Sequence, residues 1–136
     1  MAGNHAGEEG GAVYLCCCSD VDLENCTLAD NQAPGGSAVF AVGMSIGSIA
    51  RSIIALNEGG EAVFFRHSGL ALESTDVFGN PGGDWVGEIA KERSQNHNLS
   101  ADPAFVGRGA GNYALAPDSP CRLRIDGEEQ TLGAIP

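Results

Sequence analysis

The segment GGAVYL at residues 10–15 returns as GSAVFA at 36–41 and as GEAVFF at 60–65. Its alanines, Ala12, Ala38 and Ala62, stand 26 and 24 residues apart. A second phrase keeps the same beat: ENCTLADN at 24–31, ARSIIALN at 50–57 and ESTDVFGN at 73–80 each end on an asparagine, and Asn31, Asn57 and Asn80 are 26 and 23 apart. Aligned, the copies put Leu23, Ile49 and Leu72 in one column, Leu28, Ile54 and Val77 in another, and the small residues Cys26, Ser52 and Thr75 in a third. A chain that rewrites itself at this interval cannot bury the apolar face of one copy alone, so it must stack the copies on one another.

Within each copy the apolar residues alternate over short runs, and glycine-rich stretches (QAPGGS, EGGE, PGGDW) follow each asparagine as turns. The 20 glycines among 136 residues argue against a helical bundle. A leucine-rich repeat has a similar period, but its L-x-x-L-x-L pattern and helical segment are missing. The expected fold is therefore all-β: a β-solenoid of about three coils, with parallel strands in register and alternate side chains pointing into the cylinder. The asparagines are expected at corners, where Asn tolerates a left-handed backbone and stacked amides can bond from coil to coil.

The phrases NCTLADNQAPGGSAVF, RSIIALN and STDVFGNPGGDW resemble coils of right-handed parallel β-helix proteins of the pectate-lyase-like superfold. The later stretch NLSADPAFVG, GNYALAPDSPC and LGAIP resembles the tail that closes many bacterial β-helix proteins. The resemblance implies a flexible segment at 1–9, coils over 10–83 and a C-terminal capping tail over 84–136. It also implies a secreted or cell-surface setting, although MAGNHAGEEGG lacks the basic and apolar regions of a signal peptide. Relatives carry more coils, so the chain is expected to be either the end of a longer protein or a short product using only that end.

A solenoid of so few coils exposes a row of unpaired backbone at each end. The tail is expected to cover the C-terminal end, while the few small or polar residues before the first coil are too few to shield the other. That open end is expected to pair with a second copy, most simply as a twofold homodimer, with a frayed monomer as the alternative.

Three clusters are candidates for chemistry. Asp20, Asp22 and Glu24 alternate with Val21 and Leu23, which sets three carboxylates about 7 Å apart on one strand face, an arrangement that can join in a Ca²⁺ site or simply be a solvated acidic face. The resemblance implies that such a site would work with an arginine, and Arg51 and Arg66 stand in neighbouring coils. Asp76, Asp84 and Trp85 gather polar and aromatic character beside the third asparagine: either a sugar-stacking site or, for Trp85, part of the cap. Gly43-Met44-Ser45-Ile46-Gly47 matches the nucleophile pattern G-x-S-x-G, with Asp76 and His97 downstream in hydrolase order. That pattern needs a strand turning into a helix, whereas a β run follows Gly47, so Ser45 is expected as a turn serine level with Ser19 and near Ser68.

Seven basic against eighteen acidic residues give a net charge of −11, which excludes nucleic-acid binding, and no apolar run is long enough to span a membrane. An anionic polysaccharide would need a bridging cation. Cys16, Cys17 and Cys18, read as a strand, point to alternate faces and are expected as small packed side chains rather than a zinc or disulfide site, while His5, His67 and His97 show no ligand spacing. Together these features point to a non-catalytic structural or interaction module that self-associates. The alternative is a carbohydrate-binding protein related to polysaccharide lyases or glycoside hydrolases.

Overall fold

The computed structural model describes residues 1–134, and the fold is all-β. Ile135 and Pro136, the end of the expected closing tail, lie outside the described residues. The first repeat forms β1 (Val13–Leu15), β2 (Asp20–Glu24), β3 (Thr27–Ala29) and β4 (Gln32–Ala33). The second forms β5 (Val39–Val42), β6 (Ile46–Ala50), β7 (Ile53–Ala55) and β8 (Glu58–Gly59), and the third β9 (Val63–Arg66), β10 (Gly69–Glu73) and β11 (Asp76–Phe78). Strands one repeat apart pair in parallel, giving three-stranded sheets β1-β5-β9, β2-β6-β10 and β3-β7-β11 and a small β4-β8 pair, an arrangement consistent with a β-helix-like fold.

The register is the one the repeat dictates. Leu23 pairs with Ile49 and Ile49 with Leu72, while Leu28 pairs with Ile54 and Ile54 with Val77. Five of these six side chains are fully buried, and with Val39, Val63 and Leu70 they form one continuous core. Each such side chain contributes about 1.5–3 kcal/mol by leaving water, which stacked copies can collect and a single copy cannot.

Asn31, Asn57 and Asn80 do stack, but their expected left-handed backbone falls one residue earlier. Asp30 (φ 55°), Leu56 (φ 62°) and Gly79 (φ 69°) turn the corner, which leaves each asparagine side chain aimed along the column. A parallel set of left-handed corners, Asn25, Arg51 and Ser74, separates the second and third sheets. In the turns after the asparagines the backbones touch directly: a methyl group at Gly82 would collide with the Gly60 carbonyl, and one at Gly60 with that of Pro34.

Residues 1–9, expected as a flexible segment, lie along the first repeat through parallel bridges Ala2–Ala29, His5–Gln32 and Glu9–Gly35. They cover the edges of β3 and β4, and leave β1 and β2 as edge strands. At the other end, Trp85 and, from the 3₁₀ segment Gly87–Glu92, Ile89 join the core, and Leu99 bridges to Asp76 as a fourth rung. The rest of the tail does not close that end. Its hairpins, β12 (Phe105–Gly107) with β13 (Asn112–Leu115) and β14 (Arg122–Ile125) with β15 (Glu128–Thr131), fold beside the outer face of β3-β7-β11. Cys121 and Leu132 pack there on Ile53 and Ala55, and the Gly133 amide donates to the Arg51 carbonyl. This explains why β3 and β7 are buried on both faces.

Candidate functional site

The asparagine column is a directed ladder longer than the repeat alone implies. Asn4 Nδ2 donates to Asn31 Oδ1 (2.8 Å), Asn31 Nδ2 to Asn57 Oδ1 (2.9 Å) and Asn57 Nδ2 to Asn80 Oδ1 (2.9 Å). Each acceptor oxygen also takes the backbone N–H of the residue above it. Asp84 ends the series: its Oδ1 accepts from the Asn80 backbone (2.8 Å) and Asn80 Nδ2 (2.6 Å), and its Oδ2 from the Gly79 amide (3.0 Å). Along the column one N–H of each amide is directed toward Asp84 while backbone carbonyls take the rest, so an anion, which only accepts, suits the end where the ladder presents hydrogen.

Trp85, a candidate for stacking on a sugar, is only 8% exposed and donates its indole N–H to the Leu99 carbonyl (3.1 Å). Asp76 is fully buried beneath the tail. Its Oδ1 accepts from the Ala101 amide (2.9 Å), and the Cys121 thiol lies 3.5 Å from its Oδ2. Desolvation raises the Asp76 carboxyl to about 7, outweighing those two contacts, and the nearby charges of Asp84 and Asp102 add to the rise. The same burial, together with the Asp76 charge, pushes the Cys121 thiol well above its usual range. Asp76, Asp84 and Trp85 therefore lie close in the chain but are each used internally and present no shared surface.

Asp20, Asp22 and Glu24 do line the outer face of the edge strand β2. Asp22 accepts from the Ser48 hydroxyl (2.7 Å) and Glu24 pairs with Arg51, so two of the three are already engaged. Among the described residues no group of three His, Cys, Asp or Glu side chains stands close enough to hold a metal ion. Arg66 leans over the Phe64 ring on a different sheet, 5.9 Å from its centroid, so it does not join Arg51 at the acidic strand.

Ser45 sits in the turn between β5 and β6, almost fully buried, and donates to the Val42 carbonyl (2.9 Å). Ser19 repeats the contact with the Cys16 carbonyl (2.6 Å), and the Ser68 hydroxyl accepts the Ser45 amide (3.2 Å). The three serines form one corner of the stack, as the alignment indicates, and no helix follows Gly47. The cysteine triplet is not a strand. It forms the turn before Ser19, where Cys17 and Cys18 have φ of 60° and 62°, and both are exposed.

The sequence reading missed two features. A bidentate contact from Arg108 and the Tyr113 hydroxyl (2.8 Å) both fall on Asp30, tying the tail to the corner after β3. The Arg108 hydrogen bonds hold the Asp30 carboxyl below its usual range against the effect of burial. On the outer face of β1-β5-β9, Tyr14, Phe40 and Phe64 stack with centroids 5.4 and 4.8 Å apart and rings within 12° of parallel. Phe40 is covered, whereas Tyr14, on the edge strand, is half exposed with the outer side of the stack open. The repeats could have shown it, since the fifth residue of GGAVYL, GSAVFA and GEAVFF is aromatic each time.

No protein family, curated protein or solved structure matches the chain.

Proposed function

We propose that the chain is a short right-handed parallel β-helix of the pectate-lyase-like class that acts as a non-catalytic interaction module and self-associates through its N-terminal end. The observation that carries the reading is the edge of β1, where the strand backbone and the outer side of the Tyr14–Phe40–Phe64 stack end together. Residues 1–9 narrow the available surface by covering β3 and β4, and the carboxylates of β2 guard their own edge, since like charges set opposite each other repel. A twofold, antiparallel pairing of two β1 edges extends the sheet and sets a second Tyr14 against the first. The carbohydrate-related alternative loses support, because Asp76, Asp84 and Trp85 are all engaged inside the fold.

Sedimentation velocity over a hundredfold concentration range tests the reading. The expected result is a concentration-dependent shift from monomer to dimer, with Tyr14→Lys monomeric throughout. A wild-type chain that stays monomeric across the range, or a Tyr14→Lys variant that dimerises like the wild type, would overturn it.

A further inference from the structure

We propose that the corner between the first two sheets is a binding site for monovalent copper, with Cys18, Met44 and His67 as its ligands. The three residues come from successive repeats. Asp20, Ile46 and Gly69 pair in one register row, and counting back two residues from each gives Cys18, Met44 and His67. Backbone hydrogen bonds hold the rows together: the Cys18 amide donates to the Gly43 carbonyl (2.9 Å) and the Met44 amide to that of His67 (2.7 Å). All three share the left-handed backbone, with φ of 62°, 62° and 53°, so their side chains leave the stack in the same sense, one rung of roughly 4.8 Å apart.

The donor set is soft and unspent. Cys18, Met44 and His67 are exposed, and among the described residues none of the three makes a side-chain hydrogen bond of the kind that holds Ser45 beside them. Met44 is 69% exposed, and a turn gains nothing from an apolar side chain held in water at a strained φ. A thiolate, a thioether and an imidazole, with no carboxylate among them, suit Cu(I) rather than Ca²⁺, Mg²⁺ or a tetrahedral zinc centre. Cys17 stands next to the column opposite Gly43, which offers no side chain. Closing the site requires the Cys18 and His67 side chains, both exposed, to rotate toward Met44. On binding, the Cys18 S–H bond breaks, sulfur takes the metal and one proton leaves to solvent, with no change in oxidation state. The net charge of −11 favours the approach of a cation.

The test is anaerobic competition for Cu(I) against bicinchoninate, with Ag(I) as a redox-inert probe in a parallel titration. One equivalent is expected to transfer to the full chain. Met44→Leu and His67→Gln should each weaken retention by about tenfold or more and Cys18→Ser by more, a loss at least as large as removal of a ligand's own support causes. Cys26→Ser, in a different corner, should change nothing. All four substituted positions lie at least partly at the surface, and matched thermal melts confirm folding. Failure to take up one equivalent, or uptake indifferent to Met44→Leu and His67→Gln, would overturn the assignment and reduce the corner to ordinary thiol chemistry.

Discussion

Replacing Asp76 with asparagine should abolish most of the loss of stability between pH 4 and pH 8. Among the described residues no cation pairs with Asp76. Its partners are the Ala101 amide and the Cys121 thiol, and the charges that reach it, Asp84 and Asp102, are of its own sign. Burial raises its carboxyl from the ordinary 3.8 to about 7. Between those values the folded chain keeps a proton that the unfolded chain has released, so stability falls as pH rises: the contribution is full below pH 4, lost progressively to pH 7, and flat above. A gap of about three units at ~1.4 kcal/mol each amounts to roughly 4 kcal/mol. Asparagine keeps an oxygen for the Ala101 amide and cannot ionise. Urea unfolding of both proteins at pH 4.5 and pH 8 should therefore show the wild type losing several kcal/mol more than Asp76→Asn over the interval. Groups common to both chains, including Asp30, cancel in that difference. Parallel pH profiles would show that Asp76 is solvated or paired in a way its burial does not allow.

The remaining predictions concern the ladder and the tail. Asn57→Ala removes a fully buried amide that donates to the Leu28 carbonyl and to Asn80 and accepts from Asn31, so it should cost about 4 kcal/mol in chemical denaturation, most of it from partners left unpaired. Asp84→Ala should cost about 3 kcal/mol, whereas Asp84→Asn, which keeps one acceptor oxygen for Asn80, should cost about 1 kcal/mol; equal losses would mean the carboxylate does not terminate the ladder. Arg108→Ala removes a partly exposed bidentate pair and should cost about 1 kcal/mol in low salt and less in high salt, as thermal melts at two ionic strengths will show.

The columns were legible because in-register stacking forces equivalent positions to do equivalent work. Leu23, Ile49 and Leu72, the Asn31–Asn57–Asn80 series and the Ser19–Ser45–Ser68 corner therefore all read correctly from period alone. What escaped is what occurs once. Asp84 does the work of a fourth asparagine without standing at the repeat interval, while Trp85, the only tryptophan, has no counterpart in the repeat, and of its two readings it is the cap that agrees with its burial. Asn4 was within reach, since it precedes Asn31 by 27 residues, close to the spacing of the later pairs. The position of the tail also left a trace. Thr27, Ile53 and Asp76 face outward, and an isoleucine between them on a supposedly wet face is the sign of a cover. The left-handed corners were misplaced by one residue: Asp30 and Gly79 are types that adopt a positive φ, but Leu56 between them is not, and it broke the column.

The unequal ends determine how the molecule can associate, and salt should show it. At the Asp84 end the ladder is terminated and Trp85, Ile89 and Leu99 pack over the core and the β11 edge, while β9 and β10 stand as the last strands of their sheets. At the other end two edges are free but not equivalent. β2 carries Asp20, Asp22 and Glu24, and a twofold contact through the neighbouring β1 sets one such acidic strand on each flank of the seam, on chains that each already carry −11. Apolar stacking at Tyr14 must overcome the mutual repulsion of two strongly acidic chains, which is screened within about 8–10 Å at physiological salt. Raising NaCl from about 20 mM to 500 mM should therefore tighten the dimer, the opposite of a contact held by ion pairs. Asp22→Asn, which leaves an acceptor for Ser48, should tighten it at low salt and flatten the dependence. A dimer that weakens as salt is added would place the contact on opposite charges, away from the β1 edge.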